Sequence, residues 1–135
     1  MGLRFIFLFA VLAVTSCNRP ADYALVGSAD VPSVHGDVRI EKIDRDQLLV
    51  TVQLDELPPP SKIEAGLTHY VLWFVGGGED PERQTALEYD AEALVGRASV
   101  PTSLRDFEMR VTAENTPEPN TPSFLLIASQ QIREK

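Results

Sequence analysis

Sulfur and positive charge are both scarce in this sequence. It contains one cysteine among 135 residues, so no internal disulfide can form and a disulfide-stapled scaffold is excluded. Its 12 lysines and arginines are outnumbered by 20 aspartates and glutamates, which gives a formal net charge of −8. Nucleic-acid phosphates are bound by a basic stripe, and the sequence contains none. We therefore expect no nucleic-acid partner.

The sequence also lacks an apolar run of transmembrane length. Its longest run, FIFLFAVLAV at residues 5–14, has ten residues, whereas a membrane-spanning helix needs about 20. Arg4 supplies a positive charge just before it. A short apolar run after a positive start is typical of a secretory signal. In a buried core helix, the alternative, the apolar residues would recur on one face. We predict a cleaved signal peptide over residues 1–16.

The residues that follow resemble the lipobox of bacterial lipoproteins. Val14, Thr15 and Ser16 precede Cys17, with valine where leucine is preferred. The resemblance implies that Cys17 is acylated and becomes the mature N-terminus, anchored to a membrane by its lipid. Ordinary secretion with a free thiol is the alternative. Asn18 follows instead of aspartate, which in the enteric sorting rule favours the outer membrane over the inner.

The lipidated cysteine leads into a segment without sustained periodicity. Residues 17–35 contain two prolines and several small or polar residues, and they predict a flexible tether. A short edge strand at residues 23–26, or packing of part of the segment on the domain, is the alternative. The polar residues 130–135 predict a tail. The folded domain is therefore expected over residues 36–129.

Seven segments of that domain have the patterns of β-strands. Most alternate between apolar and polar residues, as half-buried strands do. Residues 67–75 are apolar on both faces and predict a central strand with Trp73 as a core anchor. The triple proline at 58–60 cannot lie in a central strand and predicts a crossover between sheets. The predicted strands cover residues 37–41, 48–54, 67–75, 84–89, 94–100, 107–113 and 123–128.

Seven short strands separated by turn residues predict an all-β fold, a seven-stranded immunoglobulin-like β-sandwich. A small β-barrel with the same number of strands is the alternative. Helix is almost absent from the pattern, apart from a turn at residues 90–94.

Motifs of known catalytic and metal sites are missing. His35 and His69 lie far apart in the sequence, and neither HExxH, paired cysteines nor GxSxG occurs. The triple glycine at 76–78 lacks the lysine and helix of a phosphate loop, and acidic residues follow it. We expect no enzyme, no cofactor and no metal site.

Four oxygen-bearing side chains near the C-terminus have the ligand chemistry of a calcium site. Prolines interrupt the series and EF-hand spacing is absent, so calcium is only a minor alternative. The four residues are Glu114, Asn115, Glu118 and Asn120.

Two blocks of sequence resemble the extracytoplasmic domain of anti-sigma-K factor-type proteins. They are HYVLWFV at residues 69–75 and TSLRDFEMRVTAENTPEPNTPS at residues 102–123. The resemblance implies an immunoglobulin-like sandwich outside the cytoplasm. It does not imply anti-sigma activity, because the sequence offers neither a sigma-binding domain nor a membrane-spanning helix.

These features lead us to expect a lipoprotein of the bacterial envelope whose domain binds or senses another envelope component without catalysis. Loops at the end away from the tether, such as residues 76–83, are the expected contact points. A structural subunit of a surface assembly, and an envelope enzyme or inhibitor of unknown type, are the alternatives.

Overall fold

A computed structural model describes residues 19–134, which consist almost entirely of β-structure. These residues form nine strands and one helical turn, α1, at Pro60–Ile63. The strands are β1 Ala21–Val26, β2 His35–Lys42, β3 Leu48–Asp55, β4 His69–Gly76, β5 Glu82–Ala86, β6 Glu88–Asp90, β7 Val95–Thr102, β8 Asp106–Glu114 and β9 Leu126–Arg133.

The strands form two antiparallel sheets. One sheet has the order β1-β2-β3-β7-β6 and the other has the order β5-β4-β8-β9. Apolar side chains from both sheets meet in one core cluster, as they do where sheets pack face to face. The expected all-β sandwich is therefore confirmed.

The period-two pattern of β3 explains how this core forms. Leu48, Val50, Val52 and Leu54 are each at most 1% exposed, while the residues between them are half-buried. Burying one such side chain contributes about 1.5–3 kcal/mol. In the other sheet, the rings of Phe74 and Phe107 lie 4.7 Å apart between their centroids.

The first sheet has one strand more than the sequence predicts, because part of the predicted tether is ordered. Residues 21–26 pair with β2 along six residues, and Leu25 is buried. The Tyr23 hydroxyl also donates a hydrogen bond to the Arg133 carbonyl oxygen. The alternative of an edge strand at residues 23–26 is therefore the one that the structure shows, and the strand begins two residues earlier, at Ala21.

Two further segments differ from the prediction. The single strand expected at residues 84–89 is divided at Leu87 into β5 and β6, which belong to different sheets. The predicted polar tail continues β9 as far as Arg133, and Ile132 is buried in the core. The extra edge strand and the divided strand account for nine strands where the sequence predicts seven.

The strand register shows at which of the two ends of the sandwich each loop lies. Gly76 lies opposite Phe107, and Asp106 lies opposite Arg133, whose carbonyl contacts Tyr23 of β1. The glycine loop at 77–81 therefore shares an end with residue 19, and we call this the entry end. The opposite, far end carries the loops at 27–34, 56–68, 91–94 and 115–125. The expectation that residues 76–83 lie away from the N-terminal segment is wrong.

Candidate functional site

A cleft opens at the entry end, between the ends of β1, β2 and β3 in one sheet and the end of β9 in the other. Its volume is about 660 Å³, which falls within the range of about 300–1,000 Å³ for small-molecule sites. Sheet ends diverge easily, since the strands of each sheet twist. This cleft is the candidate binding site.

The floor of the cleft is apolar. Ile40, Leu48 and Ile132 line it, and each is at most 7% exposed. Tyr23 lines one side, and its hydroxyl lies 3.1 Å from the Arg133 carbonyl oxygen, which ties β1 to β9. The floor is therefore a buried part of the hydrophobic core, and the apolar surface of the cleft that solvent reaches comes mainly from the exposed Ala21 and the half-buried Tyr23.

The rim of the cleft is charged. Lys42 follows the inward-facing Val38 and Ile40 on β2 and pairs with Leu48 of β3, so it lies on the core-facing side at the strand's end. Arg19, which lies two residues before β1, also lines the cleft. Two cations thus lie at the mouth of the cleft.

The carboxylates of the rim are engaged by arginines outside the cleft. Asp22 lies 3.7 Å from Arg39, and Glu134 forms an ion pair with Arg105. Arg133, the third cation of the lining, is 3.8 Å from Asp106 in a largely exposed pair. Such exposed pairs contribute little, about 0–1 kcal/mol.

Within residues 19–134, the side chains of Arg19 and Lys42 form neither a hydrogen bond nor an ion pair. The lining of the cleft thus has three basic and two acidic residues, in a protein whose net charge is −8.

A second buried feature lies on the outer face of the other sheet. Tyr70, Leu72 and Phe74 of β4 belong to the core between the sheets, so alternation turns Trp73 to the opposite face. Trp73 is nevertheless 0% exposed. The predicted anchor is therefore buried, but in a smaller cluster outside the main core.

A chain of hydrogen bonds runs from Trp73 to the loop at 115–125. The indole Nε1 donates to Thr112 Oγ1 over 2.8 Å, and this hydroxyl donates to Glu114 Oε2 over 2.8 Å. The Ser123 amide donates to both carboxylate oxygens of Glu114, at 2.9 and 3.1 Å. Arg83, which pairs with Trp73 in the sheet, donates to the Pro119 carbonyl oxygen. These bonds hold the loop across the outer face.

This network joins the two blocks of the family resemblance. Trp73 comes from the first block, and Thr112, Glu114 and Ser123 come from the second. Glu114 is only 5% exposed and already accepts three hydrogen bonds. The network is consequently a structural support for the loop.

The polar residues considered for metal binding are not gathered into a site. His35 Nδ1 lies 3.2 Å from the Ser33 carbonyl oxygen, and His69 Nδ1 lies 2.7 Å from Thr68 Oγ1, in strands of different sheets. In the part of the chain that the structure describes, no group of three or more histidine, cysteine or acidic side chains has the arrangement of a metal site.

The proline segment passes from one sheet to the other, between β3 and β4, at the far end. Two tyrosines support it. The Tyr70 hydroxyl donates to the Pro58 carbonyl oxygen, and the Tyr89 hydroxyl donates to that of Leu57 over 2.6 Å. Burial raises the pKa of the Tyr70 phenol, and burial followed by the Asp90 charge raises that of Tyr89.

The candidate site differs from the residues that the sequence analysis emphasised. Val14, Thr15, Ser16 and Cys17 lie outside the described residues, so the lipobox stays a prediction. The sequence analysis did not identify Arg19 and Lys42, because a single charged residue beside a strand is common in any β-protein. The only sequence signal is their position next to the end of a strand.

No protein-family model, curated protein or solved structure matches this chain significantly. Among residues 19–134, the structure contains no helix with the length and apolar character needed to cross a membrane.

Proposed function

We propose that this protein is a lipid-anchored, non-enzymatic binding module of the bacterial cell envelope, and that the entry-end cleft is its binding site. The observation that carries the proposal is the position of the cleft. Arg19 on its rim follows Cys17 by two residues. Two residues span at most about 7 Å, so a lipid on Cys17 would hold the cleft at the membrane surface.

The distribution of charge supports this orientation. The far end carries eight acidic residues against two basic ones, Lys62 and Arg97, and an anionic membrane surface repels such an end. The loops of the entry end are acidic as well, with Asp44, Asp46, Glu79 and Asp80, but this end also carries the cationic residues of the rim. The domain would therefore stand with its cleft toward the membrane. The far-end acidic residues are Asp30, Asp55, Glu56, Glu64, Glu88, Asp90, Glu92 and Glu118.

The proposal of binding without catalysis rests on the cleft's chemistry. Its lining supplies apolar surface and fixed positive charge, which suit the retention of a ligand. Chemistry on a bound molecule would need a nucleophile beside a base, or paired acid and base groups. The two carboxylates of the rim contact arginines instead.

We also propose an immunoglobulin-like class for the sandwich. With β1 as an additional edge strand, the orders β2-β3-β7-β6 and β5-β4-β8-β9 correspond to the A-B-E-D and C′-C-F-G sheets of that fold. The outward-facing Trp73 is a departure, because the tryptophan of immunoglobulin domains lies between the sheets. The resemblance to anti-sigma-K factor-type extracytoplasmic domains supports the same class, and Asn18 supports an outer-membrane location.

Cys17→Ala tests the anchor. We expect the wild-type protein in the membrane fraction, with a mature N-terminus at Cys17 and the added mass of acyl chains, and the variant in the soluble fraction or unprocessed. Asn18→Ala, which leaves the cysteine intact, is the matched control and should remain in the membrane. Membrane retention of the alanine variant at the wild-type level, with normal processing, would refute the lipoprotein proposal.

A further inference from the structure

We infer that the cleft binds a single-chain anionic amphiphile, a hydrocarbon chain that ends in a carboxylate or a phosphate. The inference deepens the proposed function by naming its ligand class, and it rests on that function only for the identity of the binding site. The head group would lie between Arg19 and Lys42, and the chain would lie on Ala21, Tyr23 and Ile40.

The first argument is a pair of like charges. Ala21 lies opposite Ile40 in the β1–β2 ladder. Arg19 lies two residues before this ladder begins, Lys42 ends β2, and both line the cleft. Like charges that line one cleft repel each other. An anion between the two would turn this repulsion into two attractive contacts.

The second argument is that the structure leaves these cations without a protein counter-charge. The two carboxylates that line the cleft, Asp22 and Glu134, contact Arg39 and Arg105. Within the described range 19–134, neither Arg19 nor Lys42 has an ion-pair partner. Charge-assisted hydrogen bonds to a carboxylate or phosphate are about twice as strong as neutral ones.

The third argument is the apolar surface directly beneath the charges. Ala21 is exposed and Tyr23 is half-buried, and they line the cleft above Leu48 and Ile132, which belong to the main core. A small inorganic anion would not reach this surface, and a neutral hydrocarbon would not use the cations. A ligand that satisfies both must be amphiphilic.

Calorimetric titration of the chain that begins at residue 17, with Cys17→Ala, tests the inference. This chain retains every described residue and hence the whole core. The probes are dodecanoate, dodecyl phosphate, dodecanol and inorganic phosphate, each at concentrations at which it is monomeric. We expect one-to-one binding of at least one anionic amphiphile, with dodecanol and inorganic phosphate at least tenfold weaker. Comparison of dodecanoate with dodecyl phosphate identifies the preferred head group.

Lys42→Gln should weaken the binding of the preferred amphiphile about tenfold, which corresponds to about 1.4 kcal/mol. Lys62→Gln removes the same charge at the far end and should leave the affinity unchanged. Both lysines are exposed, so neither variant should unfold, and circular dichroism verifies this. Arg19→Gln is a second variant on the rim, with the same expected loss.

Three results would overturn the inference. They are the absence of saturable binding by both anionic amphiphiles, equal affinity for dodecanol, and equal losses in Lys42→Gln and Lys62→Gln. Each is independent of the anchor, because the titration uses a chain that carries no lipid. A failed Cys17→Ala experiment would remove the membrane location and leave the ligand class standing.

Discussion

Replacement of Trp73 tests the hydrogen-bond network on the outer face of the second sheet, which joins Trp73, Thr112 and Glu114 to the loop at 115–125. The indole is fully buried, and alanine would leave a cavity in its place. Truncation of a buried tryptophan costs about 3–5 kcal/mol. Thr112 would lose a donor but still donate to Glu114, so we expect no large additional penalty. Since small domains have about 5–15 kcal/mol of stability, Trp73→Ala should remove a large share of it.

Trp73→Phe separates the ring from its hydrogen bond. Phenylalanine keeps much of the apolar surface but cannot donate to Thr112 Oγ1. The loss of one hydrogen bond costs about 0.5–1.5 kcal/mol, and the smaller ring leaves a smaller cavity than alanine does. We therefore expect the free energy of unfolding to fall by less than half as much as in Trp73→Ala.

Urea unfolding followed by far-ultraviolet circular dichroism measures both variants, because Trp73 is the only tryptophan and its fluorescence is lost. Amide exchange at Ser123 provides a local readout, and it should accelerate in both variants as the Glu114 network loosens. Val26→Ala, at a position 72% exposed, is the control and should change stability little. A cost below about 1 kcal/mol for Trp73→Ala would refute the buried position.

The core makes two further predictions. Gly36→Ala should lower the free energy of unfolding by about 1–3 kcal/mol, because the added Cβ would lie 1.9 Å from the Gln53 carbonyl oxygen. Thermal unfolding measures this loss. Gly77→Ala is the control, because a Cβ at that position meets nothing within 4 Å. Equal midpoints for the two alanine variants would contradict this. Tyr70→Phe should cost about 1 kcal/mol through its bond to Pro58. Since the folded-state pKa of Tyr70 is raised, its contribution is complete below about pH 10, the unfolded value, and is lost above it. The variant should therefore show a shallower alkaline decline, and a wild-type pH profile would contradict the explanation.

The main core could be predicted from the sequence, because the alternation of apolar and polar residues within a single strand shows which of them are buried. The alternation of β3 specifies which residues face inward, whatever the strand's neighbours are. Trp73 is a different case. A strand that is apolar on both faces does not reveal which face meets the other sheet. The burial of Trp73 could therefore be predicted, but its position outside the main core could not.

The cleft could not be predicted because it depends on partners distant in the sequence. Arg19 and Lys42 line the same cleft only because β1 pairs with β2. That pairing places β1 in the sheet, although its short alternation resembles a tether. The contact of Tyr23 with Arg133 brings β9 to the same place from the other end of the chain.

Site-specific photo-cross-linking in living cells tests most directly whether the cleft faces the membrane that anchors the protein. A photoreactive amino acid replaces Ala21, which lines the cleft, or Asn120, which is exposed at the far end. The proposal predicts lipid adducts from position 21, few from position 120, and their loss when Cys17→Ala is added. Equal adducts from both positions, or adducts from position 120 alone, would contradict it.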